Sequence, residues 1–197
     1  MKGFDAVIAV IGYKAAGKDT LCEYLVSKHG FVMERTSDHI REEAKKRGIS
    51  APTTKDLQDV GDSLRKESTD PGCWMRRMIE HAGSVKAKKV LMNGIRNPAE
   101  IPVLQELAGE ALILVGVVAT TVVRAKRFMA KFPKDAPTLD YFLLMDDRDR
   151  GVGQPSYGQQ VDRTLALVPY ENVCMNTSTP EAMHAWTETF LVKHKVK

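Results

Sequence analysis

The chain has 197 residues, 43% of them hydrophobic and 27% charged, with a formal net charge of +4. That balance excludes a disordered chain, a collagen-like repeat and a disulfide scaffold, and it supplies enough apolar side chains for a full core. The positive excess is too small to mark a nucleic-acid binder and suits a small anionic ligand. The three cysteines, Cys22, Cys73 and Cys174, are far apart and read as buried, reduced thiols. His29, His39, His81, His184 and His194 show no metal-ligand spacing. The apolar run from Ala6 to Ile11 is too short to span a bilayer, and no cleavage pattern follows it. These features predict a soluble, cytoplasmic protein.

Strand-length apolar runs alternate with segments of helical period. Ala6 to Ile11 reads as a buried strand, and Lys18 to about Lys28 as a helix stopped by Gly30. Phe31 to Thr36 reads as a second strand, followed by a helix from about Asp38 to Lys46. Leu57, Val60, Gly61 and Leu64 fall at helical spacing, as do Met75, Met78, Ile79 and Ala82. Lys89 to Met92 is a third strand, Pro98 to Leu107 a helix, and Ala111 to Val118 a fourth strand. Helices follow from about Val122 to Ala130 and on to about Arg148, with a polar stretch between them from Lys131 to Thr138. Gly151 to Gly158 reads as loop. Asn172 to Asn176 is a fifth strand, and Thr179-Pro180 opens a last helix with a cap and a first-turn proline. Strands apolar on both faces indicate a parallel sheet covered on both sides, so the pattern is α/β and doubly wound. It reads as one domain, 1–197, with a lid-like excursion over about 131–150.

The loop after the first strand carries the strongest motif, Gly12-Tyr13-Lys14-Ala15-Ala16-Gly17-Lys18-Asp19-Thr20. Its spacing is GxxxxGK, between a buried strand and a helix. Glycines permit the tight turn that points backbone N–H groups at phosphate oxygens, and the helix N-terminus adds positive charge. Lys18 would reach the β- and γ-phosphates, where charge develops during transfer. Asp19 stands where a Ser or Thr usually holds Mg²⁺. A carboxylate is also a hard oxygen ligand, so Asp19 is the candidate metal ligand, and Thr20 is left for an α-phosphate.

The carboxyl ends of the other strands carry polar residues, where an open α/β sheet builds its site. Asp38 and Arg41 lie one helical turn apart after the second strand. Arg96 follows the third strand and suits a bidentate grip on phosphate. Arg127 and Lys131, with Arg124 beside them, form a basic stripe after the fourth strand. Taken alone, that stripe is a solvated face. Arg148 and Arg150 close the excursion. Asn176-Thr177-Ser178, after the fifth strand, is a candidate stretch for the nucleotide base edge, with Thr177 the residue assigned to the cofactor.

With these residues in hand, the chain resembles the P-loop kinases of the nucleoside monophosphate kinase group from Val7 to about Phe190. The Gly-Lys-Asp-Thr variant is similar to phage-type deoxynucleoside monophosphate kinases. Ser37 to Glu43, Leu57 to Gly61, Gly94 to Glu100 and Gly158 to Val161 resemble kinase-like domains found with deoxycytidylate deaminases, and adenylate-kinase-like and dephospho-coenzyme-A-kinase-like proteins. The resemblance implies a P-loop NTPase three-layer sandwich, with a five-stranded parallel sheet in order 2-3-1-4-5. It implies ATP and Mg²⁺ on Gly12 to Thr20, the acceptor's phosphate on Arg41 and Arg96, a lid arginine at Arg127 and a post-lid arginine at Arg148. Lys131 stands where the family usually has a second arginine. Asn93 stands where many relatives have an aspartate, a loss for which Asp19 compensates.

Two acceptor chemistries follow. A nucleoside monophosphate brings its own anionic phosphate and needs arginines rather than a base. A hydroxyl acceptor such as dephospho-coenzyme A is helped by a base, for which Asp38 is the candidate. A nucleotide-binding regulator with little turnover is the alternative that Asn93 and Lys131 motivate. A nucleic-acid end kinase finds little support in a net charge of +4 and 7% aromatic residues. The partner expected is therefore a small phosphorylated molecule, with neither nucleic acid nor membrane.

Overall fold

The computed structural model describes residues 3–68, 70, 72–131 and 138–196. Five parallel strands form one sheet in the order β2-β3-β1-β4-β5: β1 (Ala6–Gly12), β2 (Val32–Arg35), β3 (Lys89–Ile95), β4 (Leu112–Val118) and β5 (Val173–Met175). Every residue of β1 is buried, as a central strand with helices on both faces requires. The helices are α1 (Lys18–His29), α2 (Thr36–Lys46), α3 (Thr54–Glu67), α4 (Cys73–Ser84), α5 (Glu100–Ala108), α6 (Thr121–Lys131), α7 (Leu139–Arg150), α8 (Val161–Leu165) and α9 (Pro180–Lys193). This is the expected three-layer sandwich.

Alternate residues of β1 feed two cores. Val7, Ala9 and Ile11 pack with Trp74, Met75, Met78 and Ile79 of α4 and with Ile101 and Leu104 of α5. Ala6, Ile8 and Val10 pack with Leu21 and Leu25 of α1 and Met183 and Phe190 of α9. A smaller cluster of Ala125, Phe128 and Phe142 joins α6 to α7 beside Ala15.

Most differences from the expected elements have local causes. β3 runs on past Met92 to Ile95, because Asn93 still ladders with Val10 although it is polar. The register with β1 then skips Gly94, whose φ is +102°. This bulge turns the end of the strand and changes the direction of the residues after it. α2 begins at Thr36, and neither Ser37 nor Asp38 caps it. Instead the Thr36 hydroxyl bonds the Asn93 carbonyl at 3.3 Å, tying the helix start to β3. The last helix starts as expected, with the Thr179 hydroxyl accepting from the Ala182 N–H and Pro180 in the first turn. The one-turn helix α8 lies in a stretch whose sequence pattern assigns no element. Of the expected 131–150 excursion, Lys131 ends α6, 132–137 lie outside the described residues, and α7 fills the rest. Cys22 and Cys174 are buried free thiols, whereas Cys73 is only half-buried.

Gly12 ends β1 where the sheet leaves no room for a side chain. A Cβ there would fall 2.2 Å from the Val117 carbonyl oxygen, a backbone atom of the neighbouring strand. Gly12→Ala must therefore spread β1 from β4. We expect a loss of about 1–3 kcal/mol, the usual range for overpacking. The denaturant midpoint would read it, and an unchanged midpoint would show that the strands yield freely.

Candidate active site

Gly12 to Thr20 joins β1 to α1 as the sequence spacing demands. Ala15 (φ +59°) and Gly17 (φ +103°) take left-handed backbone, which turns successive N–H groups inward. At Gly17 a Cβ would also strike the Asn176 amide nitrogen, at 2.1 Å. That amide donates to the Ala16 carbonyl at 2.7 Å and holds the loop from below. The N–H groups of Lys18, Asp19 and Thr20 lie in the first turn of α1, where no intrahelical acceptor exists. The loop thus offers several donors and a helix dipole to an anion.

Lys18 curls over its own loop, donating to the carbonyls of Gly12 at 3.0 Å and Tyr13 at 2.9 Å. Burial, with Arg96 adding repulsion, lowers its pKa to about 8. An unfolded lysine keeps its proton to about 10.4. The folded chain therefore binds fewer protons than the unfolded one between about 8 and that value, and stability rises with pH through the window. A phosphate group placed on Lys18 favours its charged form and reverses the shift. We expect nucleotide binding at pH 8.5 to take up most of one proton, and affinity to fall as pH climbs past about 8. Calorimetry in two buffers of different ionisation enthalpy measures the uptake, and zero uptake would contradict the assignment.

A cavity of about 550 Å³ opens over the loop, lined by α1, α2, α3, α6 and the end of β3. Lys14, Ala15, Gly17, Lys18, Asp19 and Thr20 face it, while Gly12 and Ala16 support the loop underneath. Of the residues expected to grip phosphates, Arg41, Arg96 and Arg127 line it, and Arg127 donates to the Ala16 carbonyl at 3.3 Å. Arg35 and Arg65 line it too, outside the quoted motifs, as do Gln58 and Gln159, which fall in motif runs that carry no assigned role for them. Among the described residues, Asp19 is the one carboxylate on the wall. So many cations around one hollow create a field for a polyanion.

Three expected residues lie elsewhere. Asp38 is exposed, does not line the cavity, and pairs with Arg41 at 2.8 Å. Arg148 points to the other side of α3, bonding Asp59 at 2.6 Å and Asp62 at 3.0 Å, where it lines a second hollow. A helix turns by 100° per residue, so distance from a lid motif does not fix the face. Thr177 is exposed and off the cavity wall. Its neighbour Asn176 makes the contact with the loop. Arg124 is not the solvated residue that the basic stripe suggests. It is buried in a bidentate pair with Asp146 and sits over the Tyr13 ring.

Beneath the cavity lies Asp149 of α7. It accepts from Arg96 at 2.5 Å and from Gln58 at 2.7 Å, and Lys14 stands 3.4 Å away. Burial alone would raise its carboxyl. Arg96 and Lys14 outweigh burial and hold it below the usual range. Lys14 shifts the other way, lowered because desolvation exceeds the pull of Asp149. Among the described residues, Gln58 Oε1 is the buried side-chain atom without a hydrogen-bond partner. Its amide nitrogen is committed to Asp149, so its oxygen is left to accept from a donor on a ligand.

The donor set suits Mg²⁺. Asp19 Oδ1 accepts from Asn93 at 3.1 Å, and Oδ2 lies 3.6 Å from the Lys131 ammonium. Burial pushes the Asp19 carboxyl up, but the Asn93 hydrogen bond and the charges of Lys131 and Lys18 outweigh it and hold it down. Asp19 is thus an anionic hard oxygen ligand at neutral pH. The Asp/Asn exchange noted in the sequence is a contact in space.

This loop on this sheet defines a P-loop nucleotide-binding protein with a kinase-like fold. The description of AAA_18, an AAA domain, matches residues 8–131. The chain belongs to that AAA_18 family. It is 30% identical over 149 residues to a UPF0200 protein of Pyrobaculum aerophilum, covering 75% of this chain and 79% of that one. A UPF0200 protein of Pyrococcus horikoshii is 29% identical over 176 residues, covering 88% and 89%. Among solved structures, shikimate kinase from Bacteroides thetaiotaomicron superposes with a TM-score of 0.54 over 97% of this chain and 99% of its own, at 12% identity. That likeness is one of fold. Among the described residues, no helix is long and apolar enough to cross a membrane.

Proposed function

We propose that this protein is an Mg-ATP-dependent phosphotransferase whose acceptor is a small phosphorylated molecule of the (deoxy)nucleoside monophosphate class. The observation that carries the reading is the cavity wall. Lys18 and five arginines converge there, and Asp38, the expected base for a hydroxyl acceptor, is absent from it. A hydroxyl acceptor needs a base within reach of its proton. A phosphate acceptor needs cations, and arginine forks match its oxygens.

In this reading the loop amides and Lys18 hold the β- and γ-phosphates. Asp19 would hold Mg²⁺, which when bound neutralises phosphate charge, and Thr20 is left for an α-phosphate. Arg41 and Arg96 grip the acceptor phosphate, Arg127 faces the transferring group, and Gln58 Oε1 accepts from a donor on the acceptor. An acceptor phosphate oxygen attacks the γ-phosphorus, the bond from that phosphorus to the bridging oxygen breaks, and ADP leaves with the bond electrons. Catalysis is positioning and charge stabilisation. Arg148 is left out of the acceptor site.

The test is acceptor-dependent ADP release from Mg-ATP, with ribo- and deoxynucleoside monophosphates and dephospho-coenzyme A as candidates. A response to one monophosphate that Arg96→Ala reduces supports the reading. A response to dephospho-coenzyme A alone overturns it in favour of hydroxyl transfer. Tight ATP binding with no acceptor response favours the regulatory alternative, to which the neutral Asn93 beside Asp19 is suited.

A further inference from the structure

A second cluster of metal-competent side chains lies on the far side of β2 from the nucleotide loop. Glu34 lies in β2 opposite Met92 of β3, on the face that α2 and α4 cover. Arg35, the next residue, lines the cavity. Successive strand residues point to opposite faces, so Glu34 turns away from the cleft. Its side chain is only 4% exposed. Its two oxygens meet two imidazoles. His39 Nε2 of α2 lies 2.9 Å from Oε2, and His81 Nδ1 of α4 lies 2.7 Å from Oε1. The rings are 5.9 Å apart and nearly perpendicular. One donor atom from each residue lies within 4.8 Å of the other two.

We propose that Glu34, His39 and His81 form a binding site for a divalent transition metal of the zinc type. Two imidazole nitrogens and a carboxylate are the ligands Zn²⁺ prefers, at about 2.0–2.2 Å each. In a tetrahedral site such ligands stand about 3.3 Å from one another, so the two hydrogen-bonded contacts would open slightly and any wider separation, at most 4.8 Å, would close. The side chain of His81 is 57% exposed, which leaves an entry path and a fourth position for water. Nitrogens that now share protons with Glu34 would turn lone pairs to the ion. Their protons move to the other ring nitrogen or to solvent.

The ion would join β2, α2 and α4, adding to their apolar packing and to the Arg77–Glu43 ion pair that links α4 to α2. α2 also carries Ile40 and Arg41 on the cavity wall, so the ion would fix that wall from behind. The cluster escapes sequence spacing because His81 is 47 positions from Glu34. The site is argued from its own geometry and stands whether or not the chain transfers phosphoryl groups.

The experiment titrates the metal-stripped full chain, free of nucleotide, with Co²⁺ as the spectroscopic substitute for Zn²⁺. The expected result is the intense visible absorption of four-coordinate Co²⁺, saturating at one equivalent and displaced by Zn²⁺. His81→Ala, at a half-exposed position that should keep the fold, is expected to weaken binding by more than roughly tenfold. His184→Ala should change nothing. Binding that survives His81→Ala, or that disappears instead in Asp19→Asn, would overturn the proposal. So would an absence of absorption from wild-type protein whose fold is verified by circular dichroism. The trio would then be a hydrogen-bonded brace.

Discussion

Lys18→Ala is expected to lower the proposed phosphoryl transfer by about 10²- to 10³-fold while the fold persists. The ammonium lies over its own loop, held by the carbonyls of Gly12 and Tyr13. In the proposed reaction it would exchange those carbonyls for phosphate oxygens on nucleotide entry. Removing one preorganised donor from developing charge costs about 2.7–4 kcal/mol of transition-state stabilisation. Stability should move differently. In the empty loop the charge is buried between carbonyls and repelled by Arg96, which is why its pKa falls to about 8. Losing it removes an unfavourable desolvation, so the melting temperature should stay level or rise. Activity lost with Tm retained is the expected signature. A loss below tenfold would show that charge stabilisation comes from Arg96 and Arg127 instead. A loss accompanied by unfolding would mean that Lys18 braces the loop.

The fold and the nucleotide half of the site were legible because both rest on local patterns. A buried strand, a GxxxxGK loop and a helix are contiguous, and the spacing alone fixes which atoms face a phosphate. The alternation of strands and helices fixed the layers. The strand order came from the resemblance. The acceptor half was less legible, since its residues come from four elements and their directions depend on packing. Arg41, Arg96 and Arg127 were found because they sit just past strand ends or one helical period from a basic neighbour. Arg148 and Asp38 fit the same logic and point elsewhere.

The residues missed are the buried polar ones. Gln58, Asp62 and Arg65 recur along α3 at i, i+4, i+7, the same period as its apolar stripe, and all three are buried. That polar stripe was visible and could have been read as a second inward face. Its partners could not, because Glu100 and Asp149 are 35 and 91 positions away from Arg65 and Gln58. A charged residue in a helix is usually solvated, so only the three-dimensional pairing distinguishes Arg65 from Lys66. The same holds for Arg124 with Asp146 and for Glu34 with its histidines.

Glu100→Ala is expected to be the most destabilising single truncation. The side chain has no exposed surface, and it performs two tasks. Oε1 takes the Arg65 guanidinium, at 3.0 Å from Nε and 2.8 Å from Nη2. Oε2 accepts the backbone N–H groups of Arg96 and Asn97, at 2.9 and 3.1 Å, where β3 turns toward α5. Truncation leaves Arg65 buried with only Asp62, 3.2 Å away. Removing one partner of a buried pair costs about 3–5 kcal/mol, because the other charge stays in the interior. For a chain of this size each kcal/mol moves Tm by about 2–4 °C, so the drop should reach roughly 6–20 °C. Glu100→Gln should lose less, since an amide oxygen still accepts from the turn. Pairing Glu100→Ala with Arg65→Met removes the stranded charge and should recover part of the loss but not all, the remainder being the two backbone donors. Full recovery would assign the whole effect to the ion pair. No recovery would assign it to the turn, and acceptor affinity should then fall with stability, because that turn aims Arg96 at the cavity.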